Sequence, residues 1–359
     1  MGNFLRKPDQ NTCLAKPNDD QVKENIEEES PIFLNIPRDI KPDYSTAEKN
    51  EFSVLSYNIL ADCFSSHLSK WSHHKFLDFN YRSKIIVDQI RRLSPDILFL
   101  QEVDNLTRFY KKHFVNLGYE LIFREKSTLR GEGCLSGFKS DIFGIIAKEF
   151  VDLDASDKPM ASEFKRGGIA VVAKLRHKIW NKSINVICTH FYWDPKFEHV
   201  KYFQMANLLK FIESRFDSED IIIWGGDLNA KPNDNLVKYI LKHNKPELKR
   251  MEIKNNQGLE IMQELYHELE AQCNKFELAN PYEYYGKASG NSTISFPKYT
   301  NFTADFKGTI DHIFFTKKNL VATKLLKIPD ESEIKNKSLP NRKFPSDHLP
   351  IMAVFELCI

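Results

Sequence analysis

Short apolar runs alternate with longer amphipathic segments from residue 51 onward. Seven of these runs have strand length and are rich in β-branched residues, so they predict β-strands. They lie at 52–60, 96–103, 168–175, 184–192, 221–229, 309–315 and 349–357. Segments 81–93 and 200–216 place apolar residues at helical spacing and predict amphipathic helices. This mixture favours one α/β domain with more than one layer.

The first 50 residues differ from the rest, because they mix Pro, Asn, Lys and Glu without a sustained period. We predict a mobile polar N-terminal tail over 1–50 and one folded domain over 51–359. Within the tail, PIFLNIPR at 31–38 is apolar enough to dock on the domain, at a place that the sequence does not identify. Residues 235–285 are predicted to be a largely helical, polar insertion or surface layer.

The composition is that of an ordinary globular protein, with 359 residues, 42% of them hydrophobic, and a net charge of +2. That charge neither requires a nucleic-acid partner nor excludes one that uses a local basic groove. The six cysteines form no C-x-x-C pair, which argues against a zinc site or a disulfide framework. Without a membrane-spanning run or a secretory signal, we expect a cytoplasmic or nuclear protein with no membrane partner.

Polar residues interrupt the apolar runs at or near their ends. An ionised group in a buried strand is costly unless it is paired or bound to a metal, and functional sites on α/β scaffolds gather at strand ends. Each residue has an ordinary explanation by itself, as a turn former, a cap or a core histidine. These explanations would all have to hold at once, so a shared site is the better hypothesis. Its members are Asn58, Glu102, His190, Asp227, Asn229, Asp311, Asp347 and His348.

These residue types suit attack of water on a phosphodiester with the help of a hard cation. Mg²⁺ prefers oxygen ligands, and Glu102 is the natural anchor. Asn58 is neutral and can donate to a phosphate while it still offers an oxygen. A carboxylate beside His348 would hold its ring in one tautomer. The residues alone leave open whether Asp311 or Asp347 provides that carboxylate.

Six motifs between Phe52 and Leu357 occur in an order that resembles the endonuclease/exonuclease/phosphatase superfamily, whose best-known fold is that of DNase I. They are SYNIL, LQEV, THFYWDP, GGDLN, IDHIF and PSDHLP. The resemblance implies a four-layered α/β sandwich, in which two packed mixed β-sheets are flanked by helices and the site lies at one edge. The segments THFYWDPKFEHVKYFQ, YTNFTADFKGTIDHIFF and LPNRKFPSDH look most like the carbon-catabolite-repressor-type deadenylases, with nocturnin and the Angel proteins as near relatives.

The resemblance also implies the metal. Glu102 would be the main Mg²⁺ ligand, with Asn58 nearby and Asp347 in support of the metal site. Mn²⁺ would be an acceptable substitute for Mg²⁺.

Five further side chains receive catalytic roles from the resemblance. Asp227 would activate or position the attacking water, Asn229 would contact the phosphate or the base, and His190 would stabilise the phosphate oxygens. His348, oriented by Asp311, would act as the second acid/base or charge-stabilising group.

His312 departs from the family pattern, because the repressor-type enzymes usually have an aromatic residue at that position.

Substrate recognition in deadenylases of this type places an adenine between a proline and a phenylalanine, beside the GDLN asparagine. Pro195, Phe306 and Asn229 match these positions. The resemblance therefore implies a Mg²⁺-dependent 3′→5′ exoribonuclease that prefers single-stranded poly(A) and releases 5′-AMP.

Two alternatives stay open at this point. One is a phosphatase of the same fold that acts on RNA 2′,3′-cyclic phosphate ends or on a nucleotide cofactor. The other is an inactive RNA-binding scaffold. The chain has no leucine-rich repeats, which puts its membership of a larger deadenylation complex in doubt.

Overall fold

Two β-sheets pack against each other in the computed structural model, which describes residues 30–36, 51–128, 130–155, 164–242, 260, 263–264, 267, 276–283, 296–334 and 338–358. The elements below lie in one compact unit, Pro31–Ile359. In chain order the strands are β1 (Phe33–Asn35), β2 (Glu51–Asn58), β3 (Ile97–Val103), β4 (Tyr119–Glu125), β5 (Gly133–Lys139), β6 (Phe143–Asp152), β7 (Ile169–His177), β8 (Ser183–His190), β9 (Ile221–Asp227), β10 (Leu278–Ala279), β11 (Asn301–Phe302), β12 (Lys307–Gly308), β13 (Asp311–Thr316), β14 (Leu320–Leu326) and β15 (Ile351–Leu357). The α-helices are α1 (Asp62–Ser65), α2 (His74–Leu77), α3 (Phe79–Leu93), α4 (Lys111–Asn116), α5 (Glu198–Arg215) and α6 (Asn235–Ile240).

The strand order explains how the chain brings its polar strand ends together. The first sheet has the order β1-β14-β15-β2-β3-β5-β4, and the second has the order β10-β13-β9-β8-β7-β6. In each sheet two neighbouring strands are parallel, β2 with β3 and β8 with β9. The connection from β2 to β3 contains α3, and the connection from β8 to β9 contains α5. Parallel neighbours point their carboxyl ends the same way, so each pair delivers two strand ends to one edge.

The core has four layers because the strands bury both of their faces. In β2, Val54 enters the core between the sheets with Ile223 of β9, whereas Leu55 packs on the outer side against Ile86 of α3. This alternation has the period of two that a strand requires. On the far side of the second sheet, α5 contributes Met205 to a third apolar cluster. The predicted architecture of two packed mixed sheets flanked by helices is confirmed.

All seven apolar runs form strands, and both amphipathic segments form the long helices α3 and α5. The sequence prediction did not include β4, β5, β6 and β14. Part of the segment predicted as a tail, Phe33–Asn35, forms β1 and pairs with β14 at the sheet edge. Within 235–285 the structure describes α6 and β10, and most of the remainder falls outside the described residues. Among the described helices, none has the length and apolar character needed to cross a membrane.

Two close approaches explain the paired glycines before Asp227, one to the opposite sheet at Gly225 and one to the neighbouring strand β8 at Gly226. A Cβ added at Gly225 would lie far inside van der Waals contact of the Phe99 ring, which belongs to β3 of the opposite sheet. A Cβ added at Gly226 would run into the backbone of Thr189. Glycine therefore lets the end of β9 reach the first sheet.

We expect Gly225→Ala to lower the free energy of unfolding by about 1–3 kcal/mol, because the methyl group overpacks the core against Phe99. Urea denaturation measures this as a lower midpoint. Gly144→Ala in β6 is the matched control, since the nearest atom to its added Cβ is a flexible lysine carbon 3.9 Å away. Equal midpoints for the two variants would contradict the close sheet approach.

Candidate active site

Three neighbouring strands of the second sheet place one site residue each in the same row. His190, the last residue of β8, lies opposite Asp227, the last residue of β9. Asp311, the first residue of β13, lies opposite Asp227 on its other side. All three side chains are buried. The register alone therefore explains why these residues, far apart in sequence, meet at one sheet edge.

Two residues of the first sheet complete this row. Asn58 ends β2, and its amide Nδ2 donates to Glu102 Oε1 at 2.9 Å and to Asp227 Oδ2 at 3.1 Å. Glu102 lies where the pairing of β3 with β5 shifts register, and its φ of 56° is left-handed. Such a bulge re-aims a side chain, and strained backbone of this kind gathers at functional sites. Ala61 N donates to Glu102 Oε2 at 3.0 Å and holds the carboxylate in place.

His348 has a carboxylate partner, and that partner is Asp311. Nδ1 of His348 lies 2.8 Å from Asp311 Oδ2, and Nε2 lies 3.6 Å from Asp227 Oδ2. Burial alone would lower the pKa of His348, but Asp311, Asp347 and Asp227 raise it well above its usual range. These carboxylates therefore favour the protonated form of the ring. Asp347 instead accepts from Asn301 Nδ2 at 3.2 Å, so it is not the residue that orients His348.

The acidic residues of the site lie close enough to repel one another, and burial removes solvent that would stabilise their charges. Burial raises the pKa of Glu102 to about 7, and the nearby charges of Asp347 and Glu132 add to the effect. Burial also raises the pKa of Asp227 to about 6, with Asp311 adding to it and His348 opposing it. Oδ1 of Asp311 is buried and has no partner among the described residues. A set of crowded carboxylates with raised pKa values favours the binding of a positive charge.

These donors fit a hard divalent cation, which takes carboxylate and amide oxygens. Glu102, supported by Asp347 and Asn58, is the set that the sequence predicted, and the charge of Asp347 acts on Glu102. Asp227, Asp311 and His348 form a second group whose ligand atoms lie within 4.8 Å of one another. The strong Asp311–His348 contact makes that group better suited to proton chemistry. The predicted assignment of Glu102 as the metal anchor stays a prediction.

Lys126 and Glu132 belong to the site, although sequence reasoning gave neither of them a role there. Nζ of Lys126 lies 2.9 Å from His190 Nδ1 and 3.2 Å from Glu132 Oε1. Burial lowers the pKa of His190, and the positive charges of Lys126 and His348 lower it further. Charged residues between two predicted strands are normally solvated, so the sequence carries no signal for this pair.

Asn229 sits in a loop that several contacts hold rigidly. Its φ is 49°, which asparagine tolerates better than most residues. Its backbone N donates to Asp227 Oδ1 at 2.8 Å, and its side-chain Nδ2 donates to the Phe191 carbonyl at 3.1 Å. The buried Lys201 donates to the Asn229 carbonyl at 2.7 Å. The loop after β9 is thus fixed to Asp227 at the end of β9 and to the segment that follows β8.

The two predicted stacking residues belong to segments that surround this loop. Pro195 is exposed and begins a short 3₁₀ helix, Pro195–Phe197, after β8. Phe306 is half-buried between β11 and β12, and Nζ of Lys231, two residues beyond Asn229, lies 5.2 Å from its ring centre. Contact of either residue with a base stays a prediction.

Two packed α/β sheets gather carboxylates and two imidazoles at one edge, an arrangement that suits the attack of water on a phosphate ester. Residues 55–348 match the model of the Endonuclease/Exonuclease/phosphatase family. The chain therefore belongs to this family, and the resemblance drawn from the six motifs is confirmed.

Three relatives with similar sequences are named as 3′-5′ exoribonuclease subunits or as a carbon catabolite repressor homologue. The CCR4-Not complex 3′-5′-exoribonuclease subunit Ccr4 of Saccharomyces cerevisiae is 29% identical over 86% of this chain and 39% of that protein. Its counterpart in Kluyveromyces lactis is 25% identical over 87% of this chain and 42% of that protein. Carbon catabolite repressor protein 4 homolog 4 of Arabidopsis thaliana is 28% identical over 85% and 78%. The chain thus spans about two fifths of the length of the two yeast proteins.

Solved structures share the fold. ANGEL2, described as a 2′,3′-cyclic phosphatase, superposes with a TM-score of 0.71 and 24% identity over 86% of this chain and 95% of that chain. The human Nocturnin catalytic domain gives a TM-score of 0.65 and 19% identity over 91% of this chain and 98% of that chain. At these identities the likeness concerns the fold alone.

We expect Glu102→Gln to change how stability depends on pH in metal-free protein. The folded state keeps the Glu102 proton up to about pH 7, whereas the ordinary value is 4.5, so wild-type stability falls as pH rises through this window. The unfolding free energy of the variant minus that of the wild type should increase by about 2–3 kcal/mol between about pH 5 and about pH 8. Urea denaturation in EDTA measures it.

Glu120→Gln, on the exposed part of β4, is the matched control for the loss of one glutamate. A difference between Glu102→Gln and wild type that stays constant over this range would contradict the raised pKa of Glu102.

Proposed function

We propose that this chain is a Mg²⁺-dependent 3′→5′ exoribonuclease that prefers poly(A) and releases 5′-AMP. The observation that carries the proposal is one buried carboxylate, Asp227, flanked by two imidazole Nε2 atoms at 3.6 Å each and joined to the Asn229 loop. The relatives named as 3′-5′ exoribonucleases support the same chemistry.

Hydrolysis of a phosphodiester needs a group that takes a proton from water and groups that stabilise the phosphate oxygens. Asp227, with a pKa of about 6, is ionised at neutral pH and can take that proton. The Nε2 atoms of His190 and His348 lie too far from Asp227 for hydrogen bonds, so their N–H groups can serve phosphate oxygens. A divalent cation held by Glu102, Asp347 and Asn58 would supply further neutralisation of negative charge.

Preference for adenine would arise in the Asn229 loop. One hydrogen of its amide is used on the Phe191 carbonyl, so the second hydrogen and the amide oxygen can face a base edge. An adenine edge offers a donor beside an acceptor, which matches an asparagine amide. Stacking between Pro195 and Phe306 would add affinity without selecting the base.

Single-stranded RNA is therefore the proposed partner. Cytoplasm or nucleus is the proposed location, since both hold RNA and keep thiols reduced.

A denaturing-gel time course tests the activity. The substrate is a 5′-labelled RNA with a heteropolymer body and an oligo(A) tail, incubated with the purified chain and Mg²⁺. We expect stepwise shortening that pauses where the tail meets the body. EDTA should stop it, and Glu102→Ala should lower the rate about 100-fold or more, because the metal contributes several kcal/mol. Circular dichroism must show that Glu102→Ala is folded.

The products separate this proposal from its alternatives. Release of 5′-AMP supports an exoribonuclease, and shortening that continues through the body would remove the poly(A) preference. An intact RNA whose terminal 2′,3′-cyclic phosphate is opened, or release of inorganic phosphate from a nucleotide, would overturn the proposal in favour of a phosphatase. RNA binding without hydrolysis in Mg²⁺ or Mn²⁺ would indicate an inactive scaffold.

We expect Asn229→Gly to lower the preference for oligo(A) over oligo(U) roughly 5- to 100-fold, because an asparagine–adenine pair is worth about 1–3 kcal/mol of discrimination. Glycine accepts the φ of 49°, so the loop keeps its backbone while it loses the amide. Relative kcat/KM values on the two substrates measure the effect. Phe306→Ala is the contrasting variant, and it should slow both substrates alike. An unchanged ratio in Asn229→Gly would show that another group selects the base.

A further inference from the structure

The β4–β5 hairpin brings a buried ion pair to the edge of the active site. Glu125 pairs with Gly133, so the residues one step nearer the turn, Lys126 and Glu132, face each other, and Lys126 N donates to the Glu132 carbonyl at 2.9 Å. The side chains of Lys126 and Glu132 are only 11% and 3% exposed. A buried ion pair is a weak source of stability, since desolvation offsets the attraction. Its position against His190 therefore calls for another explanation.

We propose that Lys126 is a positioning residue that fixes His190 as the neutral tautomer with its hydrogen on Nε2. An ammonium group has three donors and no acceptor, so the 2.9 Å contact requires Nδ1 of His190 to accept. A neutral imidazole that accepts at Nδ1 carries its hydrogen at Nε2. The Nε2 atom is the one that lies 3.6 Å from Asp227 Oδ2, on the side of the catalytic row.

Glu132 keeps Lys126 in its donor state. Burial alone would lower the pKa of Lys126, yet Glu132 and the other negative neighbours raise it above its ordinary value. Oε1 of Glu132 takes one ammonium hydrogen at 3.2 Å, which leaves another for His190. Glu132, Lys126 and His190 form a chain from carboxylate to ammonium to imidazole. Glu132 keeps Lys126 as a donor, and Lys126 in turn makes Nδ1 of His190 an acceptor.

The opposite arrangement holds the second histidine. Nδ1 of His348 faces the carboxylate of Asp311 at 2.8 Å, so this nitrogen carries a hydrogen. The two rings present Nε2 to the same oxygen of Asp227, but Nδ1 is held by a cation in His190 and by a carboxylate in His348. With its hydrogen on Nε2, His190 can donate a hydrogen bond to a phosphate oxygen. This use of His190 rests on the proposed hydrolysis, but its tautomer does not.

Nitrogen NMR of histidine-labelled, metal-free full-length chain tests the tautomer directly. Long-range proton–nitrogen correlations distinguish a protonated ring nitrogen from an unprotonated one, and the signals that disappear in His190→Asn identify His190. We expect an unprotonated Nδ1 and a protonated Nε2 in the wild type at neutral pH. A wild-type ring with hydrogen on Nδ1, or on both nitrogens, would overturn the proposal without any variant.

Variants of Lys126 test the cause. Lys126→Met should convert the single tautomer into a mixture or the Nδ1–H form, and Lys126→Arg, which keeps a cationic donor, should restore it. An unchanged tautomer in Lys126→Met would overturn the proposal. Because Lys126→Met leaves Glu132 buried without a cation, the double variant Lys126→Met/Glu132→Gln repeats the measurement with that charge removed.

Kinetics then separate positioning from stability. We expect Lys126→Met to lower kcat on RNA about 10- to 100-fold with KM changed less than about threefold, and Lys126→Arg to recover part of the loss. Lys174→Met, which breaks an exposed pair with Asp220, is the control for loss of a lysine. Equal kcat for Lys126→Met and wild type would overturn the catalytic part. If no RNA is hydrolysed by the wild type, the proposed function fails while the NMR result still decides the tautomer.

Discussion

The amide of Asn58 is the contact on which the site depends, because it joins the carboxylates of two different sheets. Its two hydrogens go to Glu102 and Asp227, and its oxygen accepts from the Leu60 amide at 3.0 Å. An aspartate here would add a third negative charge, and an apolar residue would leave the carboxylates of Glu102 and Asp227 without this donor. A neutral side chain with two donors and one acceptor satisfies all three neighbours. The sandwich can therefore bring acidic strand ends together without pairing each with a cation.

A buried arginine supports the same arrangement from behind. Arg82 of α3 is almost wholly buried and donates to the carbonyls of Ile59, Leu60 and Pro345. Those carbonyls belong to the loop that directly follows Asn58 at the end of β2 and to the loop that leads to β15, which contains His348. The helix that connects two parallel strands thus also ties these two loops to each other. The guanidinium group of Arg82 donates to backbone carbonyls, so the carboxylates of the site can still bind another cation.

The sequence indicated the central strands, both long helices and the polar strand ends, because these follow strong periodic or buried patterns. It could not indicate the bulge that turns Glu102 inward, since a register shift arises only when β3 meets β5. Nor could it choose between two carboxylates for His348, a choice that the register of β13 decides in favour of Asp311. Lys126 and Glu132 were given no place in the site because charged residues near a turn usually face solvent. The missed strand β6 exposes most of its length, including the apolar side chains of Ile145, Ile146 and Phe150, so its sequence pattern does not reflect burial.

The electrostatics of the two sheets destabilise the charged carboxylates of the free protein and favour the binding of a cation to them. Burial pushes Glu102 and Asp227 toward protonation, which means that the fold opposes their charged forms. A cation that binds those charged forms recovers part of this free energy on binding, because it stabilises the state that burial disfavours. Two imidazoles with opposite partners, Lys126 for His190 and Asp311 for His348, lie beside these carboxylates. Under the proposed function, these groups would supply a base, donors to the phosphate oxygens and a place for positive charge at one sheet edge.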